Sequence, residues 1–306
     1  MTTQTLERTR RRRSRGTDLS GWGGRGLGAV VLGVFLVFFA VPLLWLLIAV
    51  TKSGGDLVRS GAFTPGSVAG LVENWHDLFA FQSGAVGTWL VNSVMYSLGA
   101  LVLTLLVSVP AGYVLALVRF PGRRLLLVVT LVVMLMPSTA LVLPVFLEMS
   151  LLGLVGNPLS VILPFSFYPF GVYLAFIYFS TSIPADLLAA ARLDGCSEMQ
   201  VFLRVAVPLA APVVALVGFF SFVQNWNNYF LPFVMLPASS TYPMQVGLTT
   251  LLSSTPAFNP SAAGSDSVQL STLALATVIS VLPVLVVFLF SQRFLVAGLT
   301  AGGTKE

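Results

Sequence analysis

The sequence is poor in ionisable residues. Asp, Glu, Lys and Arg make up only 9% of its 306 residues, whereas a soluble domain has about 25%. There is one cysteine, Cys196, and one histidine, His76, so an internal disulfide is excluded and these two residues are too few for a zinc site. Neither lysine, Lys52 or Lys305, lies in a Gly-Lys-Ser/Thr phosphate loop. The chain therefore does not bind ATP in the P-loop manner, and no cluster of catalytic residues is visible.

The residues that are present are mostly apolar. Hydrophobic residues make up 56% of the chain and the mean hydropathy is +0.92. About 20 apolar residues cross a bilayer, and six runs reach this length: 27–50, 91–118, 125–147, 159–179, 205–236 and 270–290. We predict an all-α membrane protein with six transmembrane helices. The fifth run is longer than a span requires, so part of it must bend or leave the hydrocarbon.

Prolines interrupt every one of these runs. Proline removes a backbone hydrogen bond and bends a helix, and neighbouring helices must satisfy the freed carbonyl groups. Kinks in all six spans favour a bundle that opens and closes around a path over simple packing. The prolines are Pro42, Pro110, Pro137, Pro144, Pro164, Pro169, Pro212, Pro232 and Pro283.

The basic residues predict the orientation. Of the 16 Lys and Arg residues, all but Lys52 and Arg59 fall on the side of the N-terminus in a six-span topology, which places both termini in the cytoplasm. The arginine cluster at 8–15 reads as an orientation signal rather than a nucleic-acid site, and the first span reads as retained rather than cleaved. We predict a basic tail over 1–26, a six-helix domain over 27–291 and a C-terminal tail over 292–306.

One charged segment separates the fourth and fifth spans. A helix begins after Pro184 with Asp186 in its first turn, and Gly195 ends it. Ser197 and Gln200 form a capping-box pattern that starts a second helix. We call residues 181–204 the elbow. A helix–Gly–helix elbow on the cytoplasmic side is either a docking surface or an interfacial connector.

The residues of the elbow resemble a known family. Ala190-Ala191-Arg192-Leu193-Asp194-Gly195, followed by Pro208, is similar to the EAA coupling loop of permease subunits of ABC-type importers. Segments 136–164, 225–236 and 292–303 resemble the carbohydrate branch, specifically its maltose-type second permease. Two positions depart from that pattern, because Ala189 replaces the glutamate of the motif and Asn228 replaces the acid that usually follows Trp-Asn.

The resemblance implies a type I ABC importer permease bundle and a function. The chain would translocate a sugar or oligosaccharide delivered by an extracytoplasmic binding protein, across the cytoplasmic (inner) membrane of a prokaryote. It would pair with a second, distinct permease and two ATPase subunits, which bind ATP and Mg, while this chain binds no cofactor. Segment 237–269 matches a loop that enters the binding protein; the alternative for this segment is a passive linker. The implied ATPase-coupling residues are Ala190, Ala191, Leu193, Asp194, Gly195, Ser197 and Pro208.

Three other functions are weighed against this one. A permease of the same branch could carry a polyol phosphate such as glycerol 3-phosphate. A gradient-driven secondary carrier usually has ionisable residues inside its spans, and the central portions of these runs have none. A membrane enzyme would need a catalytic cluster, which the sequence lacks.

Polar residues inside the fifth run are the candidate substrate-binding residues. Amides can hydrogen-bond sugar hydroxyls and an indole can stack on a sugar ring, although buried amides also join membrane helices to one another. The candidates are Gln224, Asn225, Trp226, Asn227, Asn228 and Tyr229. Weaker candidates are Asn92, Ser93, Ser138 and Thr139.

Overall fold

A computed structural model describes residues 19–264 and 267–300, and every regular element within them is helical. The chain divides into two units between residues 47 and 48. The described part of the first unit is a single long helix, α1, which contains Pro42 without interruption. The arginine cluster at 8–15 and Lys305 lie outside the described residues, as do Ser265 and Asp266.

The described chain contains fifteen α-helices, joined by short 3₁₀ turns and one π-helix at Val201–Ala206. In chain order they are α1 (Leu19–Ala49), α2 (Asp56–Arg59), α3 (Val68–Ala80), α4 (Ala85–Leu117), α5 (Arg123–Leu135), α6 (Val142–Leu151), α7 (Leu159–Ser166), α8 (Pro169–Thr181), α9 (Ala185–Leu193), α10 (Glu198–Gln200), α11 (Val207–Leu209), α12 (Ala211–Trp226), α13 (Phe230–Met235), α14 (Met244–Ser253) and α15 (Leu270–Thr300).

The prediction of an all-α protein with six membrane spans is confirmed, with two of the spans bent. Four stretches are long and apolar enough to cross a membrane: Gly26–Ala49, Ala85–Leu117, Leu159–Thr181 and Leu270–Phe294. Arg123–Leu135 and Ser138–Leu151 form a pair bent by 104°, and Glu198–Leu209 and Ala211–Trp226 form a pair bent by 76°. The long fifth run therefore bends near Ala210, as its length required, and its helix is interrupted again after Trp226.

Prolines mark the interruptions, but not every proline makes one. Pro110 and Pro283 lie inside the continuous helices α4 and α15. Pro137 follows the end of α5, and Pro169 and Pro212 lie in the first turns of α8 and α12. A first turn tolerates proline because its N–H groups have no partner within the helix. The kinks are thus concentrated in three of the six predicted spans.

Helix α4 is central to the second unit. It packs against α7, α8 and α12, and its upstream half also contacts α14. The buried positions along it are mostly small or weakly polar, which allows close approach between membrane helices. They include Ser93, Ser97, Ala100, Thr104, Ser108 and Gly112.

Side chains at the N-terminal end of α4 form hydrogen bonds with the backbone of residues 239–244. The Trp89 indole nitrogen donates to the Ser239 carbonyl at 2.9 Å, and the Asn92 amide donates to the Ser240 and Tyr242 carbonyls at 2.9 and 3.0 Å. Segment 237–269, expected as a loop, contains α14, which buries Met244, Val246 and Leu251. Residues 237–264 of this segment are therefore a folded part of the second unit.

We expect Gly112→Ala to destabilise the fold. A Cβ at Gly112 would lie 2.5 Å from the Ala175 Cβ and 2.8 Å from the Phe176 backbone nitrogen on α8. Since backbone cannot move aside cheaply, overpacking should cost about 1–3 kcal/mol. The measurement is thermal unfolding of the purified protein in detergent.

Gly87→Ala is the matched control for this substitution. Gly87 lies on the same helix, and a Cβ there has no atom within 4 Å. We expect it to change stability by less than about 1 kcal/mol. Equal melting temperatures for the two variants would show that the α4–α8 contact is not tight.

Candidate functional site

A cavity lies where three helical spans are interrupted. It has a volume of about 460 Å³. Its walls come from the α5–α6 bend, the α7–α8 break and the α12–α13 break. The lining residues are Val133, Met134, Met136, Ser138, Thr139, Leu141, Val142, Val145, Glu148, Met149, Leu163, Pro164, Phe165, Phe167, Tyr168, Pro169, Phe170, Gln224, Asn225, Asn228, Phe230 and Leu231.

The position of the cavity follows from the backbone. Met136 and Pro137 are extended between α5 and the next helical turn, and Phe167 is extended between α7 and α8. Non-helical backbone at membrane depth is stable only when it is buried in protein or lines a polar cavity. Helix ends at such breaks also present free backbone dipoles to a substrate, which is how many transporters build a binding site.

Three of the six candidate substrate residues line this cavity. Gln224 is exposed, Asn228 is half-buried and Asn225 is buried. The Asn228 side-chain oxygen accepts from the Leu231 backbone nitrogen at 3.2 Å and so helps to start α13. Its NH₂ group donates no hydrogen bond to the described residues, which leaves it available to an occupant of the cavity.

Asn225 is both a cavity residue and a helix-joining residue. Its side-chain nitrogen donates to Ser221 Oγ at 3.4 Å, Ser221 Oγ donates to Thr104 Oγ1 at 3.3 Å, and Thr104 Oγ1 donates to the Ser166 carbonyl at 3.2 Å. This chain of hydrogen bonds connects α12 to α4 and to the end of α7. Asn225 therefore contributes to packing at the same place where it faces the cavity.

The other three candidates do not line the cavity. Trp226 is 2% exposed, and its indole nitrogen donates to the Ser280 carbonyl on α15 at 2.9 Å. The Asn227 side chain donates to the Val223 carbonyl of its own helix at 2.9 Å. Tyr229 stacks on Phe233, with ring centroids 5.2 Å apart.

Of the four weaker substrate candidates, two line the cavity and two do not. Ser138 and Thr139 line the cavity. The Asn92 side-chain nitrogen donates hydrogen bonds to the carbonyl groups of Ser240 and Tyr242. The Ser93 hydroxyl accepts a hydrogen bond from the Met244 backbone nitrogen at 2.6 Å. Asn92 and Ser93 are thus used in fixing segment 239–244.

The elbow folds as its sequence predicted. Gly195 has a φ of +84°, which glycine adopts without a steric penalty. Cys196 N donates to the Ala191 carbonyl and Gly195 N to the Arg192 carbonyl, both at 3.1 Å, which is a Schellman end to α9. Ser197 and Gln200 form a complete capping box at the start of α10.

An ion pair that the sequence analysis missed closes the elbow. Arg192 Nε donates to one carboxylate oxygen of Glu198 at 2.7 Å, and Arg192 Nη2 donates to the other at 3.1 Å. The hydrogen bond to Glu198 raises the pKa of Arg192 above its usual range, so the guanidinium stays charged. The spacing of six residues across a glycine turn gives no regular helical signal, and for this reason the pair was not predicted.

The elbow is anchored on one side and free on the other. Leu188 and Val201 are 2% and 0% exposed in a cluster with Phe179 of α8. Tyr113 of α4 lies edge-on to Phe179 at 5.4 Å and tilted against Phe202 at 4.9 Å. Of the candidate coupling residues, Ala191 is half-buried, and the others are exposed: Ala190, Leu193, Asp194, Gly195, Ser197 and Pro208.

The exposed side of the elbow is apolar as well as charged. Leu193 is 89% exposed and Met199 is 65% exposed. Exposed apolar residues beside Asp194 form a surface that suits a protein partner better than water. Among the described residues, no group of His, Cys, Asp and Glu could hold a metal ion.

Comparisons with known proteins agree with this arrangement. The chain is 34% identical over 275 residues to the arabinooligosaccharides transport system permease protein AraQ of Halalkalibacterium halodurans, covering 89% of this chain and 93% of the relative. It is 31% identical to the lactose transport system permease protein LacG of Rhizobium radiobacter, covering 88% and 91%.

A solved structure and a family model extend the comparison. The fold matches a crystal structure of a bacterial ABC transporter involved in the import of the acidic polysaccharide alginate, with a TM-score of 0.77, 26% identity and coverage of 90% of this chain and 97% of the other. The family model described as "Binding-protein-dependent transport system inner membrane component" matches residues 108–301. The chain is an integral membrane protein and belongs to this family of transport permeases, as the residues of the elbow predicted.

Proposed function

We propose that this chain is the permease subunit of an ATP-driven importer that translocates a sugar or oligosaccharide. The observation that carries the proposal is the cavity at the three helix breaks, whose wall holds the neutral amides Gln224, Asn225 and Asn228 among apolar side chains. Neutral amides on an apolar wall suit sugar hydroxyls and sugar ring faces. Relatives named for arabinooligosaccharides and lactose support a saccharide as the substrate class.

The geometry of the elbow supports a mechanical coupling. Its two short helices are fixed to each other by the Schellman turn, the capping box and the Arg192–Glu198 pair. Leu188 and Val201 fix both helices to α4 and α8. When a docked ATPase moves the exposed face, the elbow therefore moves as one body and carries α8 and the bent fifth span with it. Both of these contribute to the cavity wall.

The proposal includes partners and a location. Members of this family work with ATPase subunits and a binding protein; for this chain we infer two ATPase subunits that bind ATP and Mg, a second permease and an extracytoplasmic sugar receptor. The protein lies in the inner membrane of a prokaryote, and the elbow is on the cytoplasmic side of that membrane. We infer that segment 237–269, of which α4 holds residues 239–244 by hydrogen bonds, lies on the opposite side and meets the receptor.

The topology can be tested by cysteine labelling. We expect Cys196, in the elbow, to react with a membrane-impermeant maleimide only from the cytoplasmic side, because the basic residues place the elbow there. In a Cys196→Ser background, a cysteine introduced by Ala263→Cys, at an exposed position, should react only from outside. Inside-out vesicles expose the cytoplasmic side of the membrane to the reagent, and right-side-out vesicles expose the external side. Labelling of both positions from one side would contradict the topology.

The substrate site can be tested with neighbouring amides. We expect Gln224→Ala and Asn228→Ala each to lower sugar uptake about threefold to tenfold at limiting substrate, because each removes roughly one hydrogen bond to a sugar hydroxyl. Asn227→Ala is the matched control, since its amide binds its own helix and does not line the cavity. Uptake and basal ATPase activity would be measured in reconstituted vesicles with the receptor. Equal uptake by all three variants would exclude a substrate contact here.

The coupling role depends on the backbone of the elbow. A Cβ at Gly195 meets no atom within 4 Å, so only the positive φ penalises a side chain, by about 1–2 kcal/mol. We expect Gly195→Val to abolish most uptake by distorting the turn, while Gly195→Asn, which tolerates this conformation, retains it. Asp194→Ala should have a smaller effect. Uptake, ATPase activity and ATPase pull-down would be measured together; full uptake by an assembled Gly195→Val complex would show that the elbow is only a connector.

A further inference from the structure

Among the described residues that line the cavity, Glu148 is the one acidic or basic residue. It lies on α6 (Val142–Leu151), after the bend that follows α5, and it is exposed. The apolar run that predicts the third span ends at residue 147. The sequence therefore predicts that Glu148 lies at the end of that span. The 104° bend between the two halves of this span brings α6 to the cavity wall instead.

The carboxylate of Glu148 has no protein partner in the described part of the chain. Within it, the ion pairs are His76–Asp77 and Arg192–Glu198, and neither involves Glu148. No hydrogen bond to its carboxylate oxygens is found there either. A carboxylate offers two acceptor oxygens, and both are therefore free to meet whatever occupies the cavity.

The rest of the wall does not offset this charge. Its other polar side chains are neutral: the amides Gln224, Asn225 and Asn228, the hydroxyls Ser138 and Thr139, and Tyr168. Apolar walls of low dielectric strengthen the field of a single charge and focus it into the cavity. An anion entering this space would meet repulsion from Glu148 and no cationic side chain among the described lining residues.

We propose that Glu148 determines the charge class of the substrate. Its carboxylate accepts hydrogen bonds from sugar hydroxyls, or from the ammonium group of an amino sugar, and it disfavours saccharides that carry carboxylate, sulfonate or phosphate groups. The proposal rests on the proposed function, since it specifies which saccharides pass. It also separates a neutral sugar from a polyol phosphate such as glycerol 3-phosphate, because the phosphate would approach Glu148 with like charge.

The field of the cavity can be measured without knowing the substrate. A cysteine introduced by Ser138→Cys on the cavity wall, in a Cys196→Ser background, would be reacted in the assembled transporter with a cationic and an anionic methanethiosulfonate. We expect the cation to react faster, and Glu148→Gln to lower the cation-to-anion rate ratio by about tenfold. Glu148→Asp should keep the ratio, because it keeps the charge.

Glu73→Gln is the matched control for this measurement. Glu73 is an exposed carboxylate on α3 that does not line the cavity, so its neutralisation changes the net charge by the same amount. We expect it to leave the rate ratio unchanged. A ratio that is equal in wild type and Glu148→Gln, or that falls equally in Glu73→Gln, would overturn the assignment of the field to Glu148.

Selectivity is then measured by uptake in reconstituted vesicles with the native receptor. The probes are a neutral trisaccharide that the wild-type transporter imports and the matching trisaccharide with one uronate residue. Because the receptor is the same in every variant, its own preference cancels when variants are compared. We expect Glu148→Gln to raise uronate uptake relative to neutral uptake, and Glu148→Asp to leave the relative uptake unchanged.

The outcomes distinguish this inference from the proposed function. A changed rate ratio with unchanged relative uptake would overturn the selectivity role while leaving saccharide import intact. Failure of the wild-type transporter to import any saccharide of a broad neutral panel would overturn the proposed function, and the selectivity role with it, whereas the reagent ratio would still report the cavity field.

Discussion

Backbone N–H and C=O groups must find partners wherever the chain crosses hydrocarbon, and the arrangement of the second unit depends on this constraint. A helix satisfies them internally, so each interruption exposes several groups at once. The interruptions after α5, α7 and α12 meet around one cavity. The three breaks therefore share one cavity with a few polar side chains on its wall, and α4 and α15 remain as continuous helices in the second unit.

The same constraint explains how much of the fold the sequence could predict. Hydrophobic length alone located all six spans, because a bilayer requires a minimum number of apolar residues. It could not predict which prolines would break a helix. Pro110 and Pro283 lie within continuous helices, whereas Pro137 and Pro169 lie at breaks. Pro137 follows the end of α5 and Pro169 lies in the first turn of α8, and the positions of helix ends are not visible in the spacing of prolines alone.

In the candidate sites, features that depend on neighbouring residues were predictable from the sequence, and features that depend on contacts between helices were not. The elbow was predictable to the residue, since Gly195, Ser197 and Gln200 act on backbone within a few positions of themselves. The cavity was predictable only in part. Gln224, Asn225 and Asn228 face it, but Trp226 turns to α15, because the direction of a side chain depends on the neighbouring helix. Glu148 reaches the cavity only through the bend between α5 and α6.

Helix α4 contacts two distant sites of the second unit: segment 239–242 and the elbow. At Trp89 and Asn92 it holds residues 239–242, and at Tyr113 it contacts the aromatic side chains that anchor the elbow. Tyr113 is 24 positions after Trp89, so at 1.5 Å per residue the two lie about 36 Å apart along the helix axis. No helix break interrupts this stretch of α4. Residues 239–242 and the aromatic anchor of the elbow are therefore attached to one continuous helix. The two attachment points thus share one axis, whereas the cavity lies among the interrupted spans beside it.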